Sequence, residues 1–275
     1  MKLRIAPARE GIDWARQGVR TFFRQPLAMA GLLFMLTAAL ALVSQLPAIG
    51  PALALALLPA GTVGLMAATR EASAGRFPMP ALLAVALRGD AARVRAMLAL
   101  GALYALGGLA VGALGLLLAP PPPALTLPAG GAITPEMLQD PALREALRAT
   151  MRANFIQWLL YLPLSLLFWH APALVHWHGV PPVKSLFFSA VAVLRNLRAF
   201  LLYGLAWLAI SVSASLALLM LGALLGNPRL AAAGVLPVGM LIAAMLFASL
   251  WFTFRGCFDD AGNSRTAPPE PFSAP

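Results

Sequence analysis

Between Arg24 and Arg70 the chain runs for 45 consecutive residues without an aspartate, glutamate, lysine or arginine. A single helix crosses the hydrocarbon core of a bilayer in about 20 residues, so this run reads as two crossings. The break falls at Gln45-Leu46-Pro47-Ala48-Ile49-Gly50-Pro51, a turn-forming cluster. The first two helices are placed near 27–46 and 50–69. A cleaved signal peptide would explain only the first of them: Ala39-Leu40-Ala41 has the look of a cleavage site, yet charge-free sequence continues to Thr69. An uncleaved first span is therefore expected.

The next run, from Arg95 to Glu136, opens with a helix near 95–118 and stops at Pro120-Pro121-Pro122-Pro123, which cannot continue one. Further spans are expected near 154–176, 199–225 and 230–254, the fifth ending at Gly226-Asn227-Pro228 and the sixth at Arg255. The fold class is all-α, a polytopic membrane helix bundle with six transmembrane helices arranged as three hairpins. It forms a single domain over 1–258, and the Pro-rich residues 259–275 read as a disordered cytoplasmic tail. Composition agrees: charged residues make up 11% of the chain, against about 25% in a soluble domain that must cover its surface with them.

Charge also orients the chain. Sixteen of the 20 lysines and arginines fall before the first span, between the second and third, between the fourth and fifth, or after the sixth. The other four are Arg144, Arg148, Arg152 and Arg229. The positive-inside rule then puts the N-terminus in the cytoplasm, and an even number of crossings returns the C-terminus there. A net charge of +10 would suggest nucleic acid in a soluble protein. Here it belongs to cytoplasmic loops facing anionic lipid, and no nucleic-acid partner is expected.

Three segments repeat one plan, an amphipathic interfacial helix and a basic elbow leading into a hairpin. They are Gly11–Phe23 with Arg24-Gln25-Pro26, Pro80–Ala92 with Arg93-Val94-Arg95-Ala96-Met97-Leu98, and Lys184–Leu194 with Arg195-Asn196-Leu197-Arg198-Ala199-Phe200-Leu201. In the first, Ile12, Ala15, Val19, Phe22 and Phe23 recur at helical spacing while Arg16, Arg20 and Arg24 stack on another face. With Trp14 at headgroup depth, this reads as a helix lying in the cytoplasmic interface; the alternative is a solvated helix packed on the protein. Arg16, Arg20, Arg24, Arg95, Arg195 and Arg198 are the candidate contacts to lipid headgroups, anionic ones above all.

The segment between the third and fourth spans is the only sizeable element on the opposite side. Thr134-Pro135-Glu136 and Asp140-Pro141 have the form of helix starts, a capping oxygen followed by Pro. From Asp140 a helix carrying Leu143, Leu147 and Met151 on one stripe and Arg144, Arg148 and Arg152 on the next is expected to run straight into the fourth span. The arginine stripe is either a wet face or a contact to lipid phosphate or an anionic solute.

The stretch Phe168-Trp169-His170-Ala171-Pro172-Ala173-Leu174-Val175-His176-Trp177-His178-Gly179-Val180-Pro181-Pro182-Val183-Lys184-Ser185-Leu186-Phe187-Phe188-Ser189, with Arg195-Asn196-Leu197-Arg198-Ala199-Phe200, resembles an uncharacterised family of proteobacterial six-helix inner-membrane proteins. Ala6-Pro7-Ala8-Arg9, Trp14 and Phe23-Arg24-Gln25-Pro26-Leu27 fit the same pattern. The resemblance implies the bacterial inner membrane and no established activity. In that pattern His178 fits, while His170 and His176 depart from it. The repeated interfacial helix plus hairpin is also similar, more loosely, to the membrane domain fused to some glycerophosphodiester phosphodiesterases, without their catalytic domain.

Chemistry has few residues to work with. His170, His176 and His178 are separated by six and by two, whereas helical metal ligands share a face at i, i+3 or i+4. With no carboxylate in that span and Cys257 the sole thiol, no metal or cofactor is expected. Proton- or ion-coupled transport usually leaves charged residues within the spans, and these have none. Gln157, His170 and the serines Ser211, Ser213 and Ser215 remain as a candidate polar intramembrane site. His170 is placed to bond the carbonyl freed by Pro172 or to line a polar cavity; His176 and His178 belong to the interfacial belt. Gly101, Ala105, Gly108, Gly112 and Gly115 follow one face, for close helix packing or a substrate groove. Without paired acids, a nucleophile with its base, or metal ligands, the expected function is non-enzymatic: lipid contact, helix packing, a protein partner or a homo-oligomer. The alternative is a facilitator-type transporter with its pathway between the repeats.

Overall fold

A computed structural model of the chain describes residues 2–119 and 139–259. The helix start read at Thr134-Pro135-Glu136 and the tail beyond Asp259 lie outside these residues. The described chain is all-α apart from two short strands, and six of its helices are long and apolar enough to cross a membrane. In order they are β1 (Lys2–Leu3), α1 (Glu10–Arg24), α2 (Pro26–Ser44), α3 (Gly50–Ser73), a 3-10 helix (Pro80–Leu87), α4 (Ala91–Leu118), α5 (Pro141–Phe168), α6 (Ala171–His178), α7 (Pro182–Arg195), α8 (Leu197–Leu224), α9 (Pro228–Cys257) and β2 (Phe258–Asp259).

Local chemistry sets the helix ends. Asp90, Asp140 and Asn227 each cap a helix, accepting from the backbone N–H two residues on at 3.3, 2.9 and 3.1 Å. Asp140 starts α5 at Pro141, and α5 continues without a break into the fourth span, as expected from the sequence. That span is not one helix, however. It is interrupted at Trp169-His170 and resumes as α6, which Gly179 ends in the left-handed conformation (φ 63°). There Gly179 N–H bonds the Val175 carbonyl and Val180 N–H that of Leu174, a left-handed stop that suits glycine.

Helix α1 is a transverse brace. Its Gly11 lies on Ala199 and Tyr203 of α8, Trp14 on Gly256 and Gly18 on Ser249 of α9. Phe22 packs in a cluster with Met29, Leu65 and Ala68, and Arg24 donates to the Ser73 carbonyl at the end of α3 (2.8 Å). Fifteen residues span about 22 Å, enough to cross three helices packed 8–10 Å apart. Of the two readings of this stretch the packed one holds: Trp14, Ala15 and Phe22 are covered by protein, and of the apolar stripe only Ile12 and Phe23 stay exposed. The glycines are the physical reason, because they let α1 approach the helices beneath it closely enough to exclude lipid.

The second amphipathic stretch is also different from its reading. Pro80–Leu87 is a 3-10 helix laid on α3, with Leu83 against Gly64. Pro78 and Pro80 before it and the Gly89-Asp90 turn after it leave it too short for an amphipathic α-helix. The third stretch does lie in an α-helix, α7.

Packing follows a sequence of neighbours. Helix α8 packs on α1 and α9, α9 on α2 and α3, α3 on α4, and α4 on α5. Among the described residues α5 with α8 is not a packed pair, so the bundle is a crescent with these two helices at its edges. At one end α6 and α7 bridge it, α6 reaching α3 and α4 while α7 reaches α5 and α8. The chain ends meet there as well: β1 pairs antiparallel with β2, Lys2 opposite Asp259 and Leu3 opposite Phe258.

Candidate functional site

At this bridged end the buried polar side chains His170, Ser185, Ser189, Asn196, Ser249 and Thr253 are found. Around the helix interruption they form a network. The Ser189 hydroxyl on α7 accepts from His170 N–H and donates to the Leu166 carbonyl, both at 2.9 Å. These are the two groups that would bond each other in an unbroken α-helix, so Ser189 is inserted into the ladder and supports the break. Pro172, which has no N–H, prevents the ladder from being restored one turn later.

His170 is fully buried. It does not bond the carbonyl freed by Pro172; its Nε2 lies 3.3 Å from Thr253 Oγ1. That hydroxyl donates its one hydrogen to the Leu250 carbonyl (2.9 Å) and accepts from Trp169 Nε1–H (3.2 Å). Nε2 must therefore be the donor toward Thr253, which leaves Nδ1 as an acceptor. Nδ1 has no partner among the described residues. Phe200, Phe254 and Phe258 pack on the ring at 5.8, 6.0 and 5.5 Å.

The other candidates do not join it. Gln157 is exposed, with its side-chain oxygen against Gly115 of α4, while Ser211 is half-buried and Ser213 and Ser215 are exposed on α8. Since α5 and α8 are opposite edges of the crescent, the structure does not gather His170, Gln157, Ser211 and Ser215 into one polar site. His176 and His178 are half-buried in α6, His176 stacking on Trp177 and His178 on Phe254. Glycines on the small-residue face of α4 pack helices at three points: Gly101 meets the Ala56 carbonyl and Gly108 the Leu55 side chain of α3, and Gly115 meets Gln157 of α5.

One polar cluster has no counterpart in the sequence reading. The buried Asn196, between α7 and α8, accepts from Ala6 N–H (2.6 Å) and donates to the Arg4 and Ala192 carbonyls (3.1 and 2.9 Å). Arg4 N–H bonds the Cys257 carbonyl (2.8 Å), and the Arg4 guanidinium pairs with Glu10 (2.5 Å). The N-terminal segment is thus fastened to the end of α9 and to the α7–α8 elbow. Tyr203 with Ser249 (2.6 Å) and Tyr104 with Tyr161 add two further inter-helix bonds that residue type alone did not mark.

All six candidate headgroup arginines, Arg16, Arg20, Arg24, Arg95, Arg195 and Arg198, are exposed. Arg16 has a carboxylate, that of Asp13, at 3.9 Å. Among the described residues the other five have none within ion-pair distance, and Arg24 is held by the Ser73 carbonyl.

No protein-family model and no solved structure matches the chain. A probable inner membrane protein of Burkholderia thailandensis is 39% identical to it over 271 residues, covering 94% of this chain and 94% of that protein. An identity of this size across nearly the whole length, joined to six membrane-capable helices, makes the chain a multi-pass member of this family of inner-membrane proteins.

Proposed function

We propose that the protein is a non-enzymatic integral protein of the inner membrane that works through contact with anionic lipid headgroups at its cytoplasmic end. The observation that carries this reading is the set of exposed arginines at the bridged end, five of six without a carboxylate partner among the described residues. Uncompensated guanidinium groups at a membrane surface attract anionic headgroups, at about 1 kcal/mol each. In this reading α2–α3, α4–α5 and α8–α9 are three hairpins, led in by α1, the 80–90 segment and α7. That plan is also the ground for the likeness to the membrane domain of some glycerophosphodiester phosphodiesterases. Both chain ends face the cytoplasm, by the charge asymmetry of the loops.

Two measurements test it. Protein in neutral detergent is titrated with phosphatidylglycerol; the triple variant R16Q/R20Q/R24Q is expected to bind about a hundredfold more weakly and with a shallower salt dependence. Unchanged affinity and salt dependence would sink the lipid reading. Topology is checked by a reporter fused after Asn227, which should give the periplasmic phenotype; a cytoplasmic one reverses the orientation.

A further inference from the structure

Helix α5 carries a face that its packed neighbours leave uncovered. Arg144, Arg148 and Arg152 stack on it at i, i+4, and the same row continues toward the bridged end as Phe155, Leu159 and Leu162. All six are exposed, Phe155 by 69%, Leu159 by 55% and Leu162 by 44%. At 3.6 residues per turn the six lie within an arc of about 80°, opposite the packed Ala146 and Leu164. The arginines cover about 12 Å of helix and the apolar residues about 10 Å. The Arg144 guanidinium bonds the Gln139 carbonyl (2.8 Å). Arg148 and Arg152 have no partner among the described residues, although Glu145 is close in sequence. Helix α8 also carries exposed apolar residues, Leu205, Leu208, Val212 and Leu216.

The geometry points to a binding site for one anionic glycerophospholipid in the leaflet remote from α1. Its phosphate is held by Arg148 and Arg152, and an acyl chain lies along Phe155, Leu159 and Leu162. The layout of the row is what identifies the occupant: cationic where a headgroup sits, apolar where hydrocarbon begins. A free anionic solute would use the arginines and leave the apolar half without a role. A second copy of the chain fits poorly, because a twofold axis along the membrane normal sets like faces together and would bring one arginine row against the other. This site is at the opposite end from the elbow arginines and does not depend on the reading made for them.

The test is native mass spectrometry of the full chain released from nanodiscs of equal parts phosphatidylglycerol and phosphatidylethanolamine. One phosphatidylglycerol is expected to stay bound after the bulk lipid is stripped. R148Q/R152Q should lower the retained fraction at least about tenfold, R148K/R152K should keep most of it, and R16Q/R20Q/R24Q should leave this lipid in place. Both arginines are exposed, so an unchanged melting temperature serves as the folding control. Retention unaffected by R148Q/R152Q, equal retention of the two lipids, or a Leu159→Cys variant that cross-links to a second copy would each overturn the proposal.

Discussion

Replacing Gly101 by alanine is expected to destabilise the bundle by about 1–3 kcal/mol, the range for overpacking a well-packed interior. A β-carbon there would lie 2.1 Å from the Ala56 carbonyl oxygen. That atom is backbone inside α3 and has no rotamer through which to escape, so α3 and α4 must move apart. In doing so they open the contacts of Val63, Met97, Leu100 and Tyr104, all buried between them. Gly112, on the same face, provides the control, because a β-carbon there meets nothing within 4 Å. Alanine is intrinsically the better helix former by up to about 1 kcal/mol, so G112A should be neutral or slightly stabilising. The midpoint of unfolding in a detergent titration reads both variants. Equal midpoints for G101A and the parent chain would show that α3 and α4 do not meet through this glycine.

The second large effect is expected at Asn196. Truncation to alanine removes three hydrogen bonds and strips the partners from Ala6 N–H and the Arg4 carbonyl. A buried polar group left unpaired costs about 1–3 kcal/mol. The N-terminal segment can relieve that cost by peeling away, which converts the loss into local opening. N196A should therefore become sensitive to trypsin at Lys2, Arg4 and Arg9 well before the helices unfold. N196D keeps an acceptor for Ala6 N–H and loses the two donors, so it should fall between. Unaltered cleavage in N196A would mean that β1–β2 pairing and the bonds of Arg4 hold the segment without Asn196.

The spans were legible because the hydrocarbon excludes charge, so charge-free runs mark them whatever their detailed packing. Their ends agree to within a few residues where an Asp or Asn followed by Pro starts a helix, as at Asp140 and Asn227. What the sequence did not show depends on side chains far apart in the chain. Asn196 and Ala6 are 190 residues apart, Trp169 and Thr253 are 84 apart, and neither Asn nor Thr is distinctive by type. The break at His170 was read as continuous helix because its support, Ser189, belongs to another element. For α1 the amphipathic pattern was correctly seen, but its covering was not. Periodicity reports that a face is apolar without saying whether lipid or protein meets it, and Gly11, Gly18 and Gly256 were the signal available. The headgroup arginines are exposed as their positions implied, while the polar intramembrane residues were grouped by chemistry and are separated by topology.

The brace also sets an order of events during synthesis. Helix α1 precedes α8 and α9 in the chain and is made before them, and the surfaces that cover Gly11, Trp14 and Gly18 belong to those two helices. Until they are made, only the Phe22 end of α1 has protein to rest on, in Met29, Leu65 and Ala68. An amphipathic helix can wait at the bilayer surface, with its arginines in the headgroup layer, until α8 and α9 arrive and displace lipid from beneath it. The apolar face that reads as a membrane anchor in the sequence is a protein contact in the folded chain.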